Sequence, residues 1–334
     1  MAENSLTFYR GAATDANQYY AVGYFDDLEA PGEPSPRMRL VRFDRATRDW
    51  DILATRDWNA AAISAWQDTT GNTRIAVAGN EGVVLHGPLD GLESEDVDTT
   101  QTLQLNAVWG GPDGRAAAGA ASAAYVKTAG GAWRSISEGV TFDTIAQRMK
   151  TLKDDSDYAT VEEYMAAISW AMEGYKTFNA IGGTDLQSLL LAGDNGRLAY
   201  WDGSTLDILT NDLNVNLAQM VTTPDGWIVA GSNPTTVVVY VDKLTRRITT
   251  LLADGIKRTI TGVAFYNDRV IVCGLAPLSG GLMEVGSSGF TAFGQLPQSI
   301  WSITATSTGL WALGEKGVFL LDGAGVQTFV SPYL

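Results

Sequence analysis

The chain has 334 residues, 45% hydrophobic and 18% charged, which provides for a large core and excludes a disordered chain. Its 38 acidic and 23 basic residues leave a formal charge of −15, with a pI of about 4.4. That charge argues against nucleic-acid backbones and anionic membranes as partners and favours a basic protein, although acidity also serves solubility.

The first ten residues, MAENSLTFYR, carry no basic segment followed by an apolar one, so no signal peptide is expected. No apolar run approaches the ~18 residues that cross a bilayer. With Cys273 as the sole cysteine, no disulfide can form within the chain. A single thiol inside an apolar run suits a reducing compartment, and a cytoplasmic protein is the expectation.

Four short runs open the chain: Leu6–Arg10, Tyr19–Tyr24, Met38–Phe43 and Trp50–Ala54. Runs of this length joined by turns too short for helices predict antiparallel strands. The second run holds the signature Tyr20-Ala21-Val22-Gly23, an apolar stretch ending on glycine. The signature returns at Ala76–Gly79, Ala116–Gly119, Leu190–Gly193, Ile228–Gly231, Ile271–Gly274 and Trp311–Gly314. Successive glycines lie 56, 40, 74, 38, 43 and 40 residues apart. Four of the six gaps cluster near 40, the length of one propeller blade. Each glycine is expected to let the chain turn sharply after the second strand. Runs apolar at nearly every position suit strands covered on both faces. The expected fold is all-β, a seven-bladed β-propeller of four-stranded antiparallel blades in one domain spanning 1–334. The first and last blades are expected to hold their own strands, so closure needs no strand exchange. The second blade's fourth strand is a doubtful, acidic one near Leu92–Val97.

The two irregular gaps mark insertions. Phe25–Arg37, FDDLEAPGEPSPR, has three prolines and four carboxylates and reads as a loop between second and third strands. Glu138–Lys176 lies between the fourth strand of one blade and the first strand of the next, and reads as a helical hairpin. Thr160-Val161-Glu162-Glu163 has the form of a capping box, with Gly174 as a stop. An earlier helix is predicted over about Thr144–Leu152, with a turn at Lys153–Asp157. Val161, Met165, Ile168 and Met172 follow helical spacing, as do Tyr164, Ile168, Ala171 and Tyr175; this apolar stripe is expected to pack on the disc, and the alternative is that part of it, with Tyr158, Tyr164 and Trp170, is a docking surface for another protein. Strands alternate in direction, so both insertions are expected on one face of the disc. The candidate partner-binding residues are Asp26, Asp27, Glu29 and Glu33 on the loop, and Asp154, Asp155, Asp157, Tyr158, Tyr164 and Trp170 on the hairpin.

Two turns resemble those of known propeller families. Val126-Lys127-Thr128-Ala129-Gly130-Gly131-Ala132-Trp133-Arg134-Ser135-Ile136 is similar to the third-to-fourth strand segment of BNR-like repeats, as in photosystem-assembly-factor-like propellers, but lacks the usual Asp-box aspartate. Val41-Arg42-Phe43-Asp44-Arg45-Ala46-Thr47-Arg48-Asp49-Trp50 resembles the equivalent turn of kelch-type repeats. The resemblance implies a fold and leaves activity open, because propellers host enzymes, scaffolds and inhibitors alike.

Catalytic constellations are not evident. His86 is the only histidine and sits in an apolar run, so His-based metal sites and Ser-His-Asp triads lack material. Asp26/Asp27, Glu93/Glu95/Asp96 and Asp154/Asp155/Asp157 read as solvated charge rather than acid–base pairs. Trp109, Trp227 and Trp311 read as core; Trp58, Trp66, Trp170 and Trp201 are candidates for binding anchors if they gather at the channel mouth. No cofactor and no metal are expected. The leading reading is a protein-binding module without catalysis, for example an immunity-type inhibitor of a toxin, gripping a basic partner with its acidic, insertion-bearing face. The alternatives are an assembly or chaperone factor, and a glycosidase or lyase with carboxylates in the central channel.

Overall fold

The computed structural model describes residues 5–25, 38–101, 103–137, 141–154, 157–274, 281–297 and 299–333. Seven four-stranded antiparallel sheets follow one another along the chain, each with its strands in sequence order. The first strand of each blade lines a central channel: Leu6–Ala13, Ala60–Gln67, Leu105–Gly111, Phe178–Asp185, Asn216–Thr223, Ile260–Tyr266 and Ile300–Ala305. The second strands lie inside each sheet with other blades packed on both faces. Ser188–Gly193 and Leu310–Gly314 are buried at every residue. That is why the runs are apolar throughout rather than alternating. The outermost strands are half exposed, as in Asp49–Arg56 and Glu93–Asp96. The doubtful acidic strand is therefore real, while the last strand of the third blade shrinks to Arg134–Ser135.

The signature glycines do a different job from the one expected. None of the seven has a positive φ, so they make no left-handed turn. Each pairs with an inner-strand residue beside a β-bulge: Phe8 with Gly23, Ala60 with Gly79, Leu105 with Gly119, Phe178 with Gly193. Leu217, Ile260 and Ile300 do the same with Gly231, Gly274 and Gly314. One inner-strand residue is then skipped in every blade. At the bulge the backbones press together. A Cβ at Gly119, Gly193 or Gly274 would lie 1.9, 1.8 or 2.0 Å from the carbonyl oxygen of Gln104, Thr177 or Thr259. Glycine is required there by close approach rather than by dihedral freedom.

The ring closes without strand exchange, as expected. The first strand belongs to the first blade and the last blade holds four strands of its own. The seam is held by backbone and aromatic contacts. Leu6 N–H donates to the Tyr333 carbonyl (3.0 Å) and Phe8 N–H to that of Glu315 (2.9 Å). Trp311 Nε1 donates to the Asp15 carbonyl (3.0 Å), and Arg45 pairs with Asp322 (3.2 Å). Behind them, Tyr19, Phe43 and Phe329 pack around Trp311 with ring centroids 5.5–6.2 Å away.

Candidate partner-binding face and central channel

Two helices occupy the segment between the third and fourth blades. Helix α1 (Phe142–Lys150) starts at Thr141, whose hydroxyl accepts the Thr144 N–H. Helix α2 (Val161–Ala171) starts at Thr160, whose hydroxyl accepts the Glu163 N–H (3.2 Å). Glu163 returns to accept the Ala159 N–H (3.1 Å), so the capping box forms one residue wide of its usual partner. Gly174, with φ +83°, follows the last turn. Arg148 ties the helices together, donating to the Glu173 carbonyl (2.7 Å) and lying over the Trp170 ring. Phe142 meets Tyr175 edge-on, and Ile145 and Ala171 are buried. The Ser122 N–H donates to the Lys176 carbonyl (2.7 Å), fastening the segment to the disc.

The apolar stripe of α2 divides: Tyr164, Ile168 and Tyr175 are half-buried and Ala171 is buried, whereas the Val161, Met165 and Met172 side stays exposed. Val161 is 72% exposed, Met165 57% and Trp170 50%. Met149 and Met172 are exposed as well. Asp154 and Asp157, just before α2, and Glu162 and Glu163 on it are exposed too. Tyr158 and Tyr164 form an edge-on pair 5.4 Å apart, half-buried, with the Tyr158 hydroxyl accepting the Lys153 N–H. Six of the ten expected partner-binding residues belong to the hairpin, and the structure places five of them on or beside α2; Asp155 lies outside the described residues. Asp26, Asp27, Glu29 and Glu33 also lie outside them. The strand ends flanking that loop are described. Phe25 pairs with Leu6, at the start of an inner strand, and α2 leads into Phe178 at the start of another. Both insertions therefore attach at the face where the inner strands begin.

The central channel opens between the inner strands with a volume of about 390 Å³. It is lined by residues 10–13, 61–65, 106–108, 179–181, 218–222, 262–265 and 302–305 of the inner strands. Among the described residues no aspartate or glutamate lines it, so the carboxylate pair that a glycosidase needs is not built there. No tryptophan lines it either, and Trp58 and Trp201 are buried core residues. Among the described residues, the one charged residue that lines it is Arg10.

An ion cluster absent from the expected sites joins the second and third blades. Glu95 accepts from His86 Nε2 (2.9 Å), Trp133 Nε1 (3.0 Å), Arg115 (3.4 Å) and the Lys127 ammonium. Burial acts to raise the Glu95 carboxyl, but Lys127, His86 and Arg115 together hold it below its ordinary value. Burial, with help from Arg115, keeps His86 below its ordinary value, against the pull of Glu95. Glu95 is thus engaged rather than solvated, and His86 is a network member rather than a free base. No sequence spacing announces this cluster, because its members meet only across a blade boundary. Among the described residues no group of three or more His, Cys, Asp and Glu side chains could hold a metal ion. Cys273 is buried, and burial pushes its thiol up to about 12. No described helix is long and apolar enough to cross a membrane.

No family model matches this sequence, and no curated protein matches it. Solved propellers are similar in structure. The WD40 beta propeller domain of Doa1 aligns with a TM-score of 0.59 at 11% identity, covering 98% of this chain and 94% of that one. The Cps50 (Swd1) beta-propeller domain of Myceliophteria thermophila aligns with a TM-score of 0.61 at 11% identity, covering 99% and 98%. The RRP9 WD40 repeats align with a TM-score of 0.62 at 9% identity, covering 93% and 88%. At these identities the likeness establishes the seven-bladed propeller fold and nothing finer.

Proposed function

We propose that this protein is a non-catalytic binding propeller that grips a basic protein partner with the face bearing α1 and α2. The observation that carries this reading is the exposed stripe of Val161, Met165 and Met172 along α2, with exposed Glu162 and Glu163 on the same helix and exposed Asp154 and Asp157 just before it in the chain. An apolar centre with a charged rim is the anatomy of a protein-binding patch, and apolar side chains left in water on one helix favour a partner that covers them. The acidic rim and the −15 charge would steer a basic partner. The channel, free of carboxylates among its described residues, supports the non-catalytic side of the reading. An immunity-type inhibitor of a toxin is one role that such a surface serves; an assembly scaffold is another. A BNR- or kelch-like origin for the blades rests on the two turn sequences alone.

The test uses the full chain as bait. It should retain one stoichiometric basic protein, with affinity that falls as salt rises. Met165→Ala should weaken binding about 10-fold or more, the loss of an apolar contact from the exposed stripe, while the unfolding midpoint stays put. Met165→Asp should act alike. Undiminished binding by a chain lacking 138–176 would sink the proposal.

A further inference from the structure

Arg10 stands in the central channel without a counter-charge. Its Nε donates to the Ala61 carbonyl (3.1 Å) and its Nη1 to the Tyr9 carbonyl (3.0 Å). Among the described residues it makes no ion pair, and no carboxylate lines the channel with it. A guanidinium carries five N–H donors in a fixed plane, so the Nη2 edge has no protein partner among the described residues. Burial lowers the Arg10 pKa, opposed only by the Tyr9 phenol, the one titratable group that acts on it. In a chain with 15 more acids than bases, a half-buried cation left unpaired in a cavity is a costly arrangement.

The register explains why the cavity exists at this level. Arg10 is the first paired residue after the bulge of its strand, opposite Val22. The equivalent positions in four other blades are Ala62, Ala107, Ala180 and Gly262. Side chains this small leave the channel open around the guanidinium. The remaining two positions are polar, Gln219 and Ser302. Ser302 donates to the Gly11 carbonyl, whereas the half-buried Gln219 amide makes no side-chain hydrogen bond among the described residues. One charged fork and one free amide, both donors, share a level of a ring that is otherwise small and neutral.

We propose that the central channel binds a small oxyanion, a carboxylate or phosphate group, on the free edge of Arg10 with Gln219 as a second donor. Arginine suits this task because its planar fork matches the oxygens of such groups and its charge shortens and strengthens the bond.

The test titrates the whole protein with inorganic phosphate and, separately, with succinate, holding ionic strength constant with sodium chloride. The reporter is the Arg10 Nε–Hε resonance, assigned by its loss in Arg10→Lys. Saturable movement of that resonance, with a rise in unfolding temperature by mass action, is the expected result. A response to phosphate alone assigns a phosphate-bearing ligand, one to succinate alone a carboxylate, and one to both a general oxyanion site. Arg10→Gln should raise the dissociation constant tenfold or more, on the order of a lost charged hydrogen bond. Gln219→Leu should weaken binding by a smaller factor. An Arg10 resonance that neither anion moves in the wild type overturns the proposal, as does unchanged affinity in folded Arg10→Gln.

Discussion

Glu95 collects four donors from two blades, and its removal shows what single side chains contribute. Glu95→Gln leaves Lys127 and Arg115 without their countercharge at a site that water only partly reaches. The expected cost is about 1–3 kcal/mol, read as a lower midpoint in urea unfolding with an unchanged slope. Acid should reach the fold in two stages. The His86 pKa is lowered in the folded state, so its contribution is present above the unfolded value of about 6.5 and is lost as pH falls below it. The turn aspartates follow. Hydrogen bonds from Gln101 and Thr100 hold Asp98 at about 2. Asp68, Asp202 and Asp242 are likewise depressed by the hydroxyls and amides of their own turns. Their contribution is complete above about pH 4 and disappears as pH drops toward 2. Unfolding curves across pH should show both stages. His86→Gln should erase the first and Asp98→Asn should flatten the second. None of this was readable from the sequence. Glu95 looks like one more acid in an acidic run, because its partners are 9 to 38 residues away with no fixed spacing. Arg10 escaped notice for the same reason: the channel that isolates it is formed by strands from the whole chain.

At the scale of strands and helices, the apolar run ending in glycine revealed all seven blades but not the reason for its glycine. At Gly119, Gly193 and Gly274 that reason lies on the inner strand's side, where a carbonyl comes within 2.0 Å of a would-be Cβ. Gly193→Ala should therefore destabilise by about 1–3 kcal/mol or more, because the obstacle is rigid backbone. Gly255→Ala is the control. Nothing lies within 4 Å of its would-be Cβ, and its effect should be near zero or slightly stabilising. Urea unfolding of both variants separates close approach from a general glycine effect. The helices were equally legible from Thr160, Glu163 and the spacing of Val161, Met165 and Ile168. Which way the apolar face turned was not, since spacing gives a stripe but no direction. One side, with Tyr164, Ile168 and Ala171, is covered, and the other, with Val161, Met165 and Met172, stays in water.

The whole molecule is a ring whose two ends meet edge to edge. Trp311 is fully buried at that meeting, among Tyr19, Phe43 and Phe329, and its indole reaches back to Asp15. Trp311→Ala should cost about 3–5 kcal/mol. The amides of Leu6 and Phe8, bonded across the seam, should then exchange with solvent before those of Val229 and Ala230 in the fifth blade, which hydrogen exchange can resolve.

Because Leu6 and Tyr333 are joined by a backbone hydrogen bond and no blade borrows a strand from another, every blade is a contiguous length of chain. Order along the gene is then only one of several equivalent ways to string these units. A circular permutant, with a short linker from Tyr333 to Leu6 and new termini cut between the fourth and fifth blades, would preserve every pairing within a blade.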